Sequence, residues 1–232
     1  MPETILHVDL GAIAQNYATL QATAFNSEVA GVVKADAYGL GAAAVAPTLW
    51  QAGCRTFFTA KLAEATALRL VLPEAVIYVL EGLAEAEIAT FVEAKLRPVL
   101  NQPVELQLWV AVARQAGRRL EAALQLETGM CRMGMAETDL ADLSPDLLAA
   151  IDLTVVLSHL GSADEPASPR NAVQLARLHE IAAQLPAAPL SLANSSGCFL
   201  GPAYHLDMVR PGAALYGINP TPGRPNPMRP VV

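Results

Sequence analysis

The sequence predicts an α/β protein of the parallel (β/α)8 TIM-barrel class, and three observations carry that expectation. Eight short β-rich runs alternate with alanine-rich helical stretches, and parallel strands need such crossovers of a dozen or more residues. The 232 residues fall within the roughly 200 to 250 that one barrel typically occupies. The Gly-rich GxGxxG turn of many open doubly wound sheets is absent, which disfavours that rival.

Taken in order, MPETILHVDL (1 to 10) has the alternation of an opening strand, and Leu10, Ile13, Tyr17 and Leu20 then recur at helical spacing over 10 to 24. Barrel strands are expected at 29 to 34, 56 to 58, 76 to 79, 96 to 99, 121 to 126, 152 to 158, 189 to 193 and 206 to 209. Each is rich in β-branched or other apolar residues. Helices are expected near 41 to 53, 61 to 71, 84 to 94, 103 to 116, 137 to 149 and 170 to 185. Residues 1 to 220 therefore read as one barrel domain, and the Pro-rich run in 221 to 232 reads as a linker.

Charge and cysteine usage narrow the function. Fifteen Lys and Arg against 22 Asp and Glu leave a net charge of -7 with no basic block, so nucleic acid and anionic membranes are poor partners. No apolar run approaches the roughly 18 residues of a membrane span, and the N-terminus lacks the signature of a secretory leader. Cys54, Cys131 and Cys198 are odd in number and far apart, which suits reduced thiols in the cytoplasm and neither a disulfide framework nor a metal site.

In barrel enzymes the chemistry sits where strands run into βα loops. Those junctions carry Lys34, ETGMCRMG (127 to 134), SHLGSADE (158 to 165), NSSG (194 to 197) and RPGAALYG (210 to 217). NSSG alone reads as an ordinary turn, and RPG alone as an ordinary loop. Side by side after strands 7 and 8, their hydroxyls and free N–H groups suit a phosphate. Lys34 follows Val32 and Val33, so its stem should point into the barrel mouth beside that cradle. Neutralising an unperturbed lysine of pKa about 10.4 costs about 4.6 kcal/mol at pH 7, an obstacle that a covalent imine with an aldehyde removes. Lysine and cradle together suggest pyridoxal 5'-phosphate.

VVKADAYGLG (32 to 41), ETGMCRMG (127 to 134), SHLGSAD (158 to 164), ANSSG (193 to 197) and MVRPGAALYG (208 to 217) resemble, in order, the signatures of bacterial alanine racemases. The resemblance implies a fold-type III barrel that binds pyridoxal phosphate and interconverts L- and D-alanine, supplying D-alanine for peptidoglycan. It implies that Lys34 bears the cofactor and acts as one of two catalytic bases. Tyr38, Ser195 and the N–H groups of Gly212 and Ala213 would hold the phosphate. Arg210 would face the pyridine nitrogen, Arg132 the phenolic oxygen, and His159 would orient Arg210. Asn194 and Tyr216, in the same motifs, join the cofactor site. An arginine at the ring nitrogen cannot hand over its proton, so the ring would be a weaker electron sink than an aspartate partner would make it.

Three departures matter. Gln125 stands where the family usually has a lysine that is often carbamylated to support the arginine, so its amide oxygen is the expected partner of Arg132. Leu40 replaces a histidine. Family members also carry a β-domain, which supplies the opposite-face tyrosine across a homodimer interface. The 232 residues are therefore expected to bind the cofactor and to racemise weakly or not at all. Two alternatives stay open: a single-barrel pyridoxal phosphate carrier, whose lysine motif differs from ADAYG, and a phosphosugar isomerase barrel with no cofactor.

Overall fold

A computed structural model describes residues 5–232. The strands are β1 (Glu28–Val29), β2 (Gly31–Val32), β3 (Thr56–Thr59), β4 (Val76–Val79), β5 (Arg97–Leu100), β6 (Glu121–Gln125), β7 (Asp152–Leu157), β8 (Leu190–Ser191) and β9 (Met208–Val209). Every pairing is parallel, in the order β1-β9-β8-β7-β6-β5-β4-β3-β2. The first and last members of that order flank Ala30 in the chain. Ala30 N–H donates to the Val209 carbonyl at 2.9 Å and Val32 N–H to that of Pro211 at 3.1 Å, while Val33 N–H turns the other way to Phe58 at 2.9 Å. β1 and β2 are thus one strand with both edges paired, and the sheet closes on itself as the eight-stranded barrel expected from the sequence.

The helices are α1 (Leu10–Thr23), α2 (Lys34–Tyr38), α3 (Ala42–Gln51), α4 (Leu62–Val71), α5 (Ile88–Glu93), α6 (Pro103–Gln115), α7 (Glu137–Ala141), α8 (Pro145–Ala149) and α9 (Pro169–Ala182). Asp9 caps α1, its carboxylate accepting the Ala12 N–H at 2.9 Å. Proline opens α6, α8 and α9, where a missing N–H costs no hydrogen bond. The same residue type splits the single helix expected over 137 to 149 into α7 and α8, because a helix is disfavoured at the residue before Pro145.

Two apolar layers result. Alternate strand residues, among them Val32, Phe58, Tyr78, Val99, Val155 and Met208, fill the barrel interior, while the opposite residues pack under the helices. The expected opening strand is not found: residues 5 to 9 have no regular structure, and 1 to 4 lie outside the described residues. Asp9 N–H instead donates to the Val231 carbonyl at 2.8 Å. Asn16 on α1 grips Arg229, accepting its N–H at 2.7 Å and donating to its carbonyl at 3.0 Å, and Met228 and Val231 are buried. Among the described residues, no helix is long and apolar enough to cross a membrane.

Candidate active site

The C-terminal mouth of the barrel holds a cavity of about 510 Å³. Its wall includes Lys34, Tyr38, Arg132, His159, Asn194, Ser195, Arg210, Gly212 and Ala213, brought together from five βα loops. Tyr216 stays outside that wall. Its ring backs Tyr38 at 4.8 Å and its hydroxyl donates to the Val32 carbonyl at 2.9 Å, so it props the lysine loop from below.

Lys34 stands where β2 gives way to α2, and α2 is no ordinary helix. Ala35, Asp36, Ala37 and Tyr38 have φ of 52, 52, 54 and 57°, the left-handed region, with no glycine among them. At roughly 1 to 2 kcal/mol per residue, holding four such residues costs about 4 to 8 kcal/mol, which the surroundings must supply. The reward is geometric: the tight reversal puts Lys34 and Tyr38 on one cavity. Burial, then the nearby Arg132 charge, lower the Lys34 pKa, with Glu64 opposing. Burial raises that of Tyr38, which keeps its phenol a donor.

Opposite the lysine lies the cradle. Ser195 Oγ accepts the N–H groups of Gly212 and Ala214, each at 3.0 Å, so its own proton is directed elsewhere. Gly212 leaves room for Tyr38: a Cβ there would run into the Tyr38 hydroxyl, and the tyrosine would have to shift. The Gly212 N–H is thus engaged by Ser195 within the protein. Asn194 shapes the same turn, its Oδ1 accepting the Gly197 N–H at 3.0 Å.

Arg210 is buried, and its guanidinium has neutral partners: the Ser191 hydroxyl and the Ser158 carbonyl. Burial lowers its pKa to about 10, which leaves it charged at neutral pH. The His159 that the resemblance puts beside it is turned to Asn194, with Nε2 3.4 Å from Nδ2. Burial and the charges of Arg210, Arg132 and Lys34 push the His159 pKa down to about 3, so the imidazole is neutral.

Arg132 rides on the loop after β6. Glu127 closes that loop by accepting the N–H groups of Gly129 and, at 2.7 Å, Cys131. Gly134 lets it fold back, since a Cβ there would lie 2.7 Å from the Leu126 carbonyl carbon. Arg132 itself is exposed. Gln125 differs from its expected arrangement: its amide donates to the Met133 carbonyl at 3.3 Å, bracing the loop by its backbone and not through Arg132. Gln174 of α9 ties this loop to the next, donating to Thr128 Oγ1 at 3.3 Å and the His159 carbonyl at 2.9 Å and accepting the Gly161 N–H at 2.8 Å. Local sequence reading misses Gln174 and Glu64, because their partners lie in other βα units.

The charge pattern tests what could fit. Among the described residues the ion pairs are Lys61–Glu81 and Arg97–Glu121, so Lys34, Arg132 and Arg210 face the cavity without a carboxylate partner. Glu81 is the acid on its wall, and it is paired to Lys61. In a chain of net charge -7, a cationic hollow with a hydroxyl and glycine cradle suits a phosphorylated ligand. The lysine at its edge suits an aldehyde-bearing one.

A closed parallel barrel with a lysine and a serine–glycine turn facing each other across its mouth defines the class, and the comparisons narrow it. Residues 8–220 match the family described as alanine racemase, N-terminal domain, and the chain belongs to that family. It is 52% identical over 233 aligned residues to a catabolic alanine racemase of Mesorhizobium japonicum, covering 98% of this chain and 61% of that protein. It is 49% identical to an alanine racemase of Methylobacterium nodulans, covering 98% and 62%. Its fold superposes with a TM-score of 0.95 on the crystal structure of alanine racemase from Bartonella henselae with covalently bound pyridoxal phosphate, at 37% identity, covering 99% of this chain and 65% of that one. The chain thus spans about three-fifths of the length of the curated relatives it matches.

Proposed function

We propose that the chain is the cofactor-binding barrel of an alanine racemase, holding pyridoxal 5'-phosphate through Lys34 and acting on alanine. The observation that carries this reading is the hollow of unpaired cations, Lys34, Arg132 and Arg210, around the Ser195–Gly212 cradle. When bound, the cofactor supplies an aldehyde that condenses with an amine and a ring that draws electrons from the α-carbon. In this reading Ser195 and Tyr38 donate their hydroxyl protons to the phosphate. Arg210 donates to the ring nitrogen without yielding its proton, and Arg132 meets the phenolic oxygen. Lys34, its pKa lowered by burial and by Arg132, takes or returns the α-proton from one face. A fixed amine reaches only one face, so inversion needs a second base. The neutral, half-buried His159 supports the cradle side. The family resemblance supplies the rest of the reading: a cytoplasmic homodimer that makes D-alanine for peptidoglycan.

The test is conversion of L- to D-alanine by the chain loaded with pyridoxal phosphate, with α-hydrogen exchange in deuterium oxide followed in parallel. Exchange at the α-carbon is expected, faster than racemisation, and lost in Lys34→Ala. Exchange that persists in Lys34→Ala would overturn the assignment of Lys34. Cofactor retention with no exchange at all would make the chain a carrier.

A further inference from the structure

Lys34 is carried on backbone that its own residues disfavour, so something else must hold it. Glu64, in the first turn of α4, does so from the neighbouring βα unit. One carboxylate oxygen accepts the Ala35 N–H at 2.9 Å. The other accepts the N–H of Ala60 at 2.8 Å and of Lys61 at 3.4 Å. A single carboxylate, both oxygens engaged, therefore joins the loop after β2 to the loop after β3. Asp36 adds a tie within the turn, accepting the Ala42 N–H at 2.7 Å. Packing holds the turn at Ala37, which is buried in the core, but not at its start: with Ala35 and Asp36 on one wall and Ala63, Glu64 and Ala67 on the other, a cavity of about 520 Å³ lies beside it.

We propose that Glu64 is a positioning residue for Lys34, clamping the left-handed turn so that the amine is aimed into the cationic hollow. The inference deepens the proposed function and rests on it for the role of Lys34. Both oxygens are needed. A glutamine would point an NH2 group at one of the backbone N–H donors, and an aspartate, one methylene shorter, would keep the charge and the cap of α4 but fall short of Ala35. The negative charge of Glu64 also opposes burial and Arg132 in setting the proton balance of the amine, consistent with its closeness.

The experiment compares the parent chain with Glu64→Gln and Glu64→Asp. Amide exchange at Ala35 is read in the cofactor-free protein, with Ala65 of α4 as an internal reference. The rate of borohydride-trappable attachment of pyridoxal phosphate at Lys34 is read alongside. Loss of a hydrogen bond to a charged group should speed exchange at Ala35 by roughly tenfold or more. Attachment should slow by a similar factor in both variants, while Ala65 in Glu64→Asp stays as in the parent. Should Glu64→Gln not fold, Glu64→Asp alone decides. Parent-like exchange at Ala35 and parent-like attachment would overturn the role of Glu64. If the parent itself traps nothing at Lys34, the reading of Lys34 fails, and exchange at Ala35 in the cofactor-free protein still decides whether Glu64 holds the turn.

Discussion

The two walls of the mouth are built by different means. On the β8–β9 side, Ser195 and the backbone of Gly212 and Ala214 are buried and hydrogen-bonded to one another, and the buried Arg210 is bonded to the Ser191 hydroxyl and the Ser158 carbonyl. On the β6 side, Arg132 is exposed on a loop that Glu127, Gln125 and Gln174 brace from beneath. A site made of buried, mutually bonded groups keeps its geometry without a ligand, whereas an exposed arginine on a braced loop is free to follow one. Retention of a phosphorylated cofactor should accordingly be a property of the first wall, with Arg132 contributing little to it.

Substituting the first wall should therefore have the largest effect. Gly212→Ala puts a Cβ into the Tyr38 hydroxyl, displacing Tyr38 and disturbing the bonds to Ser195. With two charge-assisted bonds lost, cofactor affinity measured by equilibrium dialysis should fall by at least about 100-fold. Ser195→Ala on this wall, and Tyr38→Phe on the α2 turn that meets it at Gly212, remove one such bond each and should cost about 1.5 to 3 kcal/mol, roughly 10- to 150-fold. Parent-like affinity in both would dissolve the contrast between the walls.

A smaller effect tests the burial of His159 and, after it, the cationic field of the hollow, without any ligand. His159 is held down to about 3 from an ordinary 6.5, so the folded state binds fewer protons than the unfolded one. Its contribution is fully present above about pH 6.5 and is lost as pH falls toward 3. At 1.36 kcal/mol per unit, acidification to pH 5 should cost up to about 2 kcal/mol in urea unfolding. His159→Gln should flatten that slope. The smallest effect belongs to the second wall: Arg132→Ala should weaken cofactor binding by less than about fivefold, as befits an exposed ion pair worth 0.2 to 1 kcal/mol. A loss as large as that of Ser195→Ala would erase the distinction between the walls.

The same contrast runs between what was legible in the sequence and what was not. Strands and helices could be read because their signals are local: apolar runs such as VIYV and periodic stretches such as PVELQLWVAVARQ. Lys34 and NSSG could be singled out because strand ends face the mouth. The left-handed turn could not, since Ala-Asp-Ala-Tyr contains no glycine to announce positive φ, and its support comes from Glu64, 29 positions on. The serine-lined seat of Arg210 and the turn of His159 toward Asn194 arise from contacts across strands. Alternation at the N-terminus suggested a strand, but alternation names no partner, and residues 5 to 9 have none in the sheet.

The central claim, that Lys34 bears pyridoxal phosphate in the hollow, is tested most directly by reducing the chain with borohydride in the presence of the cofactor and mapping the labelled peptide by mass spectrometry. The expected result is one phosphopyridoxyl group on Lys34, absent from Lys34→Ala. Label on Lys61 or Lys95 instead, or no reducible absorbance at all, would contradict it.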